Sequence, residues 1–506
     1  MIIGGDRVLG MEELAGRAGR AAAALKTLGV GEGDTVATLL RNDFPAFELL
    51  NAAGQLGALV VPINWHSVGP DVAYILADSG ARLLVAHADL YRPMAGAISE
   101  DVKVCLVETP PEIADAYNVP PENAALRPGE LAWDDFRDSH QAASLPPPAQ
   151  PGGSMMYTSG TTGRPKGVRR IVRSDTEKAG LAEMLSIVFG FDDKPMKIAL
   201  TGPMYHSAPG AHAVMALAFG ADIVLEAKFD AEDLLALVEK HRITHLHVVP
   251  VMFIRLLKLP EDVRLKYDLS SLRFVTHGAA PCPRPVKLEM IRWWGPIIGE
   301  YYGSTETGAV TFCSADEYVA HPGTVGRALK RAVVKVLDEA GNEVPRGTPG
   351  EVYARNHMVS DFTYHGDPAK RDACDREGLI TAGDIGWMDE DGFLYLSDRK
   401  KDMIISGGVN IYPAQIEAAL AGCPGVKDCA VFGIPDDEFG ESVCAVIQPE
   451  GPISAESVRG YLKGQVASYM IPRRIEFRDD LPREATGKIF KRHLRDEFWR
   501  ALGRAI

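Results

Sequence analysis

The 506-residue sequence has no run of the ~20 apolar residues that a membrane-spanning helix needs. Its first residues, MIIGGDRVLGMEELAGR, lack the basic segment and long apolar run of a secretory signal peptide. The sequence also lacks a net positive charge: 68 acidic residues outnumber 54 basic ones, and the net charge of −14 disfavours a broad nucleic-acid-binding surface. We therefore expect a cytoplasmic protein with no transmembrane segment and no nucleic-acid partner, and peripheral membrane contact stays open.

Cysteine is sparse too. The seven cysteines are scattered without paired metal-ligand spacing, which favours a reducing compartment over a disulfide framework. We expect them to be packing residues rather than nucleophiles. Hydrophobic residues at 46% and charged residues at 24% are typical of a globular protein. Because 506 residues exceed what one core usually serves, two or more domains are expected.

Helical and strand-like patterns alternate through most of the chain. Apolar and alanine positions recur at helical spacing from Glu12 to Leu28, Gly29 offers a C-terminal stop, and DTVATLL follows as a strand. PAFELLNAAGQLG with ALVVPI, and AEDLLALVEKH with THLHVV, repeat this order. The alternation predicts α/β layers with largely parallel sheets, whose ligand groups lie at the carboxyl ends of strands.

The pattern changes after about residue 400. VKDCAVFGI and ESVCAVIQP indicate two strands around a turn, SAESVRGYLKGQV indicates a helix, and RRIEFRD indicates another strand. This order predicts a small α+β domain of about a hundred residues. The charged segment SDRKKD, Ser397 to Asp402, is the predicted junction.

The segment YTSGTTGRPKGV, Tyr157 to Val168, is the strongest local motif. Its hydroxyl side chains and glycines give a loop whose backbone N–H groups can surround phosphate oxygens, next to Arg164 and Lys166. A Walker loop is excluded because Pro165 precedes Lys166 and Gly167 follows it, where Gly-Lys-Ser/Thr is required. A surface linker is the alternative, but the apolar MMY directly before the loop favours phosphate binding.

This segment resembles the signature loop of the adenylate-forming superfamily, which includes acyl-CoA synthetases, 4-coumarate–CoA ligases, luciferases and peptide-synthetase adenylation domains. Four further motifs follow in the family's order: HGAAPCP, YYGSTETG, TAGDIG through SDRKKDMIISGGVNIYP, and LPREATGKIFKRHLR. With the first motif they extend from residue 157 to residue 488. The resemblance implies a large N-terminal domain of layered α/β sheets with a small β-barrel-like subdomain, and a small mobile α+β C-terminal domain. The implied boundaries are 1–398, a hinge at 399–402, and 403–506.

The resemblance also implies an activity. The protein is expected to be an AMP-forming acid–thiol ligase that uses ATP and Mg²⁺ to form an acyl-AMP and then transfers the acyl group to coenzyme A, releasing AMP and pyrophosphate. The implied catalytic residues are Lys488, Glu306, Thr158 and His206, with Glu306 holding the metal. Lys401 is implied as the hinge, Gly407 and Gly408 as the wall of the CoA tunnel, and a homodimer is a possible assembly.

Two residue sets follow from the same resemblance. In the first, Tyr302 stacks on adenine, Thr305 contacts phosphate, and Asp384 accepts hydrogen bonds from the ribose hydroxyls. The implied ATP and AMP site comprises Thr158, Ser159, Gly160, Thr161, Thr162, Lys166, Gly278, Ala279, Ala280, Glu300, Tyr301, Tyr302, Gly303, Ser304, Thr305, Asp384, Arg399 and Lys488. The implied acyl pocket comprises His206, Ala208, Gly210, Ala211, His277, Gly278, Tyr301 and Gly303.

The substrate is defined less closely than the reaction. An amino acid is disfavoured, because Tyr205, His206 and Ser207 stand where peptide-synthetase domains carry an aspartate. The small residues Ala208, Gly210 and Ala211 favour a fatty, bulky alicyclic or aromatic acid. Ser304, Val409 and Gln415 depart from the common family pattern and blur the subfamily, but remove no group that the chemistry requires. Open alternatives are a luciferase-like oxygenase, a loader of a free-standing carrier protein, and a catalytically dead nucleotide-binding or scaffold protein.

Overall fold

The computed structural model describes residues 1–142, 145–150, 152–158, 165–171, 175–400, 402–406, 409–436, 438–483 and 489–500. Within these ranges no helix has both the length and the apolar character needed to cross a membrane.

The strands are short and are spread over most of the chain. In chain order they are β1 Ile2–Gly4, β2 Arg7–Leu9, β3 Thr35–Leu39, β4 Leu59–Pro62, β5 Leu83–His87, β6 Lys103–Val107, β7 Gly153–Ser154, β8 Met156–Thr158, β9 Lys166–Arg170, β10 Lys197–Leu200, β11 Asp222–Leu225, β12 His245–Val248, β13 Phe274–His277, β14 Ile298–Ser304, β15 Gly308–Cys313, β16 Arg327–Ala328, β17 Ala332–Leu337, β18 Gly350–Asn356, β19 Phe362–Tyr364, β20 Asp375–Arg376, β21 Leu379–Met388, β22 Leu394–Arg399, β23 Ile404–Ser406, β24 Val409–Ile411, β25 Val426–Asp436, β26 Gly440–Pro449 and β27 Arg474–Phe477.

The helices connect these strands. In chain order they are α1 Met11–Thr27, α2 Phe44–Leu56, α3 Gly69–Ser79, α4 Ala88–Tyr91, α5 Pro111–Tyr117, α6 Pro121–Ala124, α7 Trp133–Asp138, α8 Asp175–Phe189, α9 Ser207–Ala218, α10 Ala231–His241, α11 Pro250–Leu257, α12 Glu261–Arg264, α13 Arg284–Trp294, α14 Ala315–Ala320, α15 Pro368–Ala373, α16 Pro413–Leu420, α17 Ala455–Leu462 and α18 Lys491–Arg500, with 3-10 turns at Arg92–Ala97 and Ser468–Met470.

Two sheets with parallel centres build the first part of the chain. The larger has the order β16-β15-β14-β13-β12-β10-β11-β1-β2, and its strands from β14 to β1 are parallel. The smaller has the order β6-β5-β3-β4-β7 and is parallel throughout. Since Val248 of β12 pairs with His277 of β13, which pairs with Glu300 of β14, the segments that follow these strands leave the same sheet edge.

Antiparallel sheets complete the fold. One has the order β17-β18-β21-β20, with β22 on β21. Another is the short sheet β19-β9-β8, which holds the two ends of the Thr-rich loop. After residue 403, β24-β23-β26-β25 with β27 form a sheet that carries its own apolar core. The predicted class, a large α/β part followed by a small α+β part, is confirmed.

Local sequence explains the first helix and its end. Leu14, Ala18, Ala21 and Leu25 of α1 recur at helical spacing and are buried. The helix ends at Thr27, and Gly29 adopts a positive φ of 71°, a conformation that costs glycine little. The amide of Val30 then donates to the Leu25 carbonyl and closes the end. The helix predicted here is therefore confirmed to within one residue at each end.

Candidate active site

A cavity of about 1220 Å³ lies where the large sheet, the β8–β9 hairpin and the β21–β22 pair meet. One part of its wall is polar and contains Thr158, Lys166, Glu306, Asp384 and Arg399. Another part is apolar and is built from α2, α8 and α9. The cavity therefore joins a compartment suited to phosphate and ribose to one suited to an apolar body.

The β8–β9 hairpin brings the ends of the Thr-rich loop together. Thr158 and Lys166 are antiparallel partners, and both line the cavity. Residues 159–164 between them lie outside the described residues. The Lys166 ammonium is 5.4 Å from the ring centroid of Tyr364, and its pKa is lowered mainly by desolvation and then by nearby Lys370. An ammonium in this setting gains from an anionic ligand.

The Glu306 carboxylate is held in the wall by a neighbouring phenol. Tyr364 donates a hydrogen bond of 3.0 Å to Glu306 Oε1. Desolvation and the charge of Glu306 both raise the pKa of Tyr364, so this hydroxyl keeps its proton and remains a donor. The second carboxylate oxygen of Glu306 stays available to a cation or a donor.

Arg170 fixes the turn that carries Thr305 and Glu306. Its guanidinium donates to the carbonyls of Thr305, Glu306 and Ser360, the last two at 2.8 and 2.9 Å. Ser207 donates to Thr305 Oγ1 at 3.2 Å. A planar guanidinium that satisfies three carbonyls makes this turn rigid, and it therefore positions the groups that face the cavity.

Asp384, Tyr302 and Arg399 form a second polar group. Tyr302 donates to Asp384 Oδ2 at 2.7 Å, and Arg399 Nε is 3.4 Å from Asp384 Oδ1. Asp384 and Arg399 are also cross-strand partners of β21 and β22. Desolvation and the charge of Asp384 raise the pKa of Tyr302, which keeps the phenol protonated. The Asp384 carboxylate is thus oriented but still has acceptor capacity toward the cavity.

The HGAAPCP segment brings backbone close to an aromatic ring. A Cβ at Gly278 would lie 2.8 Å from the Tyr301 ring, so only glycine fits there without a shift. Ala279 has a positive φ of 68°, which is uncommon for a residue with a Cβ, and it lines the cavity.

A buried ion pair lies behind this segment. Lys287 and Glu300 form a short contact, His277 Nε2 is 3.7 Å from Glu300 Oε2, and the ammonium is 3.7 Å from the Tyr318 ring centroid. Burial raises the pKa of Glu300 against the influence of Lys287. Because Lys287 lies on α13 and Glu300 lies on β14, the pair ties the helix that follows the HGAAPCP segment to a strand that leads into the site.

His206 borders the apolar part of the cavity, directly before α9. Its Nε2 is buried and has no hydrogen-bond partner among the described residues. Burial, followed by the charge of His66, lowers its pKa to about 4, so the imidazole is neutral at pH 7. Apolar neighbours around the compartment include Phe47, Leu50, Leu185, Val188 and Val214.

The predicted residues fall into three groups. The cavity wall contains Thr158, Lys166, His206, Ala208, Gly210, Ala211, Ala279, Tyr301, Gly303, Ser304, Thr305, Glu306, Asp384 and Arg399. It does not contain His277, Gly278, Ala280, Glu300 or Tyr302, of which His277 and Glu300 are buried behind it. Outside the described residues lie Ser159, Gly160, Thr161, Thr162, Lys401, Gly407, Gly408 and Lys488.

Several residues of the site were missed from the sequence. Arg170 donates to the Glu306 carbonyl, and Ser207 donates to the Thr305 hydroxyl. Tyr364 donates to the Glu306 carboxylate, and His247 pairs with Tyr301. Arg170 follows the signature loop by two residues, so its position was a signal that could have been used. Tyr364 and His247 carry no local signal, because they reach the site only through the pairing of β19 with β9 and of β12 with β13.

Buried histidines make stability sensitive to acid. Burial lowers the pKa of His247 to about 4 and lowers the pKa values of His212 and His277 well below the usual value. An unfolded imidazole titrates near 6.5, so the unfolded state binds more protons below that pH and the unfolding free energy falls between about pH 6.5 and 4. We expect His212→Leu to reduce the loss between pH 7 and pH 5 by about 2 kcal/mol, as measured by urea unfolding at both pH values.

The exposed His493 gives the control for this experiment. His493→Leu should leave the pH dependence of the urea midpoint unchanged, because His493 is exposed to solvent in the folded protein as well. If the unfolding free energy of His212→Leu and of the unmodified protein fell equally between pH 7 and pH 5, protonation of buried His212 would not be a cause of this loss.

Comparison with protein families decides the membership of the chain. A model of AMP-binding enzymes matches residues 1–361, and a model of the AMP-binding enzyme C-terminal domain matches residues 415–488. The chain belongs to the AMP-binding enzyme family. The predicted membership of the adenylate-forming superfamily is thereby confirmed.

Relatives of this AMP-binding enzyme cover nearly its whole length. It is 33% identical over 504 residues to an indoleacetate–CoA ligase of Aromatoleum aromaticum, covering 97% of this chain and 93% of that one. It is 34% identical over 513 residues to the fatty acid–[acyl-carrier-protein] ligase ScoC of Streptomyces coeruleorubidus, covering 99% and 93%. Its fold matches the crystal structure of ATP-bound MatB from Rhodopseudomonas palustris with a TM-score of 0.83 and 28% identity, covering 98% and 95%.

Proposed function

We propose that this AMP-binding enzyme is an ATP-dependent acid–thiol ligase that converts a carboxylic acid to its acyl-AMP and then to an acyl-CoA. One observation carries the proposal: Thr158, Lys166, Glu306, Asp384 and Arg399 line a single cavity that continues into an apolar compartment. The first part suits the triphosphate and ribose of ATP, and the second suits the body of an acid. Relatives named as CoA ligases, over nearly the whole chain, support the same reaction.

In the first half reaction, a carboxylate oxygen of the acid attacks the α-phosphorus of ATP. The new P–O bond gives acyl-AMP, and the bond to the leaving pyrophosphate breaks. Both reactants are anions, so the enzyme's task is to position them and to compensate charge. Lys166 and the loop after Thr158 would contact the phosphates, Arg170 would keep the Thr305–Glu306 turn in place, and Lys488 would contribute a further positive charge.

Asp384 and Arg399 would orient the nucleoside. The free acceptor positions of Asp384 can take hydrogen bonds from the two ribose hydroxyls, while Tyr302 holds the carboxylate in place. Arg399 neutralises part of this charge from the neighbouring strand. Tyr302 lies behind the wall, so we propose that its role is to position Asp384 in addition to any contact with adenine.

Mg²⁺ is part of this proposal, and the chemistry of the donor set fits it. Among the described residues no group of three or more His, Cys, Asp and Glu side chains could enclose a metal. The cavity wall described here has two carboxylates, those of Glu306 and Asp384, and Glu306 lies beside Thr305, the predicted phosphate contact. This suits Mg²⁺, which usually takes one or two protein carboxylates and is otherwise bound by water and substrate phosphates. When bound, it would offset phosphate charge.

In the second half reaction, the thiol sulfur of CoA attacks the acyl carbonyl carbon, the bond to AMP breaks, and the thiol proton is lost to solvent. We propose that the predicted C-terminal domain, 403–506, turns about the hinge at 399–402 between the two steps. This turn would withdraw Lys488 and bring Gly407 and Gly408 to the CoA tunnel. The separate core of the sheet β24-β23-β26-β25 supports such a rigid unit.

Lys401→Pro tests the hinge. Proline fixes φ near −65° and restricts the preceding residue, so we expect acid-dependent pyrophosphate release to continue while CoA transfer falls by tenfold or more. Stopped assays of each half reaction measure the two effects separately. Lys401→Ala keeps the backbone freedom and should retain transfer; acyl-CoA formation by Lys401→Pro at the unmodified rate would count against the hinge.

A panel of acids tests the proposed function. Pyrophosphate release is measured with acetate, fatty acids of increasing length, aryl acids and steroid carboxylic acids, each with and without CoA. We expect release that depends on the acid, thioester formation with CoA, and a preference for fatty, alicyclic or aromatic acids over acetate. Absence of release with every acid would favour a catalytically dead nucleotide-binding protein, and release without thioester would favour an oxygenase-like second step.

A carrier-protein acceptor is the second candidate. It is favoured by the similarity to ScoC, a relative named as a fatty acid–[acyl-carrier-protein] ligase. Adding a phosphopantetheine-bearing carrier protein to the same panel separates the two acceptors, since each product is a thioester of different mass.

The predicted homodimer and the cytoplasmic location are further parts of the proposal. Gel filtration with light scattering tests the homodimer.

A further inference from the structure

Tyr301 places a hydroxyl in a part of the cavity wall that is otherwise largely apolar. Its ring packs against the cluster that includes Val188 and Phe189 of α8, and lies over Gly278. The ring centroids of Phe189 and Tyr301 are 6.0 Å apart in an edge-to-face arrangement. The hydroxyl is therefore fixed in position by packing as well as by its own hydrogen bond.

That hydrogen bond joins Tyr301 Oη to Nε2 of His247 at 2.9 Å. His247 is 3% exposed, and its burial lowers its pKa to about 4, so the ring is neutral near pH 7. A neutral imidazole has one donor nitrogen and one acceptor nitrogen. The phenol is the stronger acid and the neutral imidazole nitrogen is the stronger base, so in this contact the Tyr301 hydroxyl donates its proton and Nε2 of His247 accepts it.

The direction of this hydrogen bond decides what the Tyr301 hydroxyl can offer to a ligand. With its proton donated to His247, the Tyr301 oxygen can offer only lone pairs to a ligand in the cavity. Across the part of the chain that the structure describes, this hydroxyl has no second partner. Tyr301 is thus a hydrogen-bond acceptor aimed at the acyl compartment, although a tyrosine by itself could act in either sense.

We propose that Tyr301, oriented by His247, determines specificity for acids that carry a hydroxyl or N–H donor on an otherwise apolar body. This inference rests on the proposed acid-activating function and narrows its substrate class. A donor-bearing acid pairs with the phenolic oxygen in the adenylating complex. An acid of the same shape without the donor leaves that oxygen buried and unpaired, which weakens turnover.

Matched acids test the preference. The parent is the acid of the panel above that is turned over best, and it is compared with its positional hydroxy analogues, the methyl ether of each, and its deoxy form where it already carries a hydroxyl. We expect kcat/KM for pyrophosphate release to be about tenfold higher for one hydroxy acid than for both its deoxy and its methyl ether partner, as one hydrogen bond allows. If every hydroxy acid is equal to or worse than its partners, the inference is wrong.

Variants separate hydrogen bonding from a structural effect. Tyr301→Phe should bring the hydroxy-to-deoxy ratio to about one. In His247→Leu the phenolic proton is no longer bound by the imidazole, so Tyr301 can donate a hydrogen bond to the acid. We then expect kcat/KM for the methyl ether to rise relative to kcat/KM for the hydroxy acid. A ratio measured on one preparation does not depend on the fraction of folded enzyme, so partial misfolding cannot produce this result.

His245→Leu is the matched control. His245 lies on the same strand, is 1% exposed, and pairs with the Gly190 carbonyl at 2.9 Å, but it does not line the cavity. Its substitution should leave the ratio as in the unmodified enzyme. A hydroxy preference that survives Tyr301→Phe, or no change in His247→Leu, would overturn the inference while leaving acid activation intact. Loss of acid-dependent pyrophosphate release in the unmodified enzyme would instead overturn the proposed function.

Discussion

Lys488→Ala should slow acyl-adenylate formation by about 100-fold or more, which corresponds to the ~3 kcal/mol lost when a key charge-stabilising donor is removed. The proposed reason is electrostatic: two anions meet at the α-phosphorus, and Lys488 supplies positive charge that Lys166 and Arg399 cannot replace from their places in the cavity wall. Pre-steady-state pyrophosphate release with saturating acid measures this step. Thioester formation from supplied acyl-AMP and CoA measures the other.

The second half reaction should be nearly unaffected by Lys488→Ala, because the proposed domain rotation has withdrawn this residue by then. Lys463→Ala is a suitable control, since Lys463 is an exposed lysine of the same C-terminal part and should leave both half reactions unchanged. Equal damage to both half reactions by Lys488→Ala would refute its assignment to adenylation. Lys488 lies outside the described residues, so this experiment is the direct test of its proposed role in adenylation.

Lys287→Met should lower the unfolding free energy by about 3 kcal/mol or more, as expected when one partner of a buried ion pair is removed. Lys287 is 0% exposed and Glu300 is 4% exposed, so the remaining carboxylate would be left in apolar surroundings beside His277. The midpoint of urea unfolding, followed by tryptophan fluorescence at constant slope, measures the loss. Because Glu300 directly precedes the segment of β14 that lines the cavity, KM for ATP should also rise.

Two further variants serve as controls for the stability of Lys287→Met. The double variant Lys287→Met with Glu300→Gln removes both charges and should recover part of the stability, since a neutral pair costs less to bury than a lone charge. Lys258→Met breaks the exposed contact with Glu450, at 3.4 Å, and should cost about 1 kcal/mol or less. A Lys287→Met loss no larger than that of Lys258→Met would show that the buried pair does not stabilise the fold.

Secondary structure with a strong local period was predictable. Helix α10 is one example: its apolar positions recur at helical spacing, and the side chain of Asp230 caps its first turn by accepting from the amides of Glu232 and Asp233. The strands VKDCAVFGI and ESVCAVIQP were found for a similar reason, and they pair as β25 and β26. What the sequence left open were strand orders and sheet partners, which depend on contacts between distant segments.

The residues of the candidate site also divide into those predicted from the sequence and those found only in the structure. Lys166, Glu306, Asp384 and Arg399 were predicted because the motifs that contain them resemble those of the adenylate-forming superfamily, and all four line one cavity. Arg170 was missed, although it holds the turn around Glu306 through three carbonyls. His277 was predicted in the acyl pocket but is buried against Glu300 and Lys287, since its orientation depends on which side of β13 faces the cavity.

By itself the sequence determined the family, the α/β character and several residues that line the cavity, because these depend on short motifs and local periodicity. Only the tertiary structure decided that Tyr364 orients Glu306, that Lys287 pairs with Glu300, and that His247 makes Tyr301 an acceptor. These pairings join residues that are 13 to 58 positions apart and lie on separate elements, and a hydrogen bond takes its direction from the protonation and burial that packing imposes.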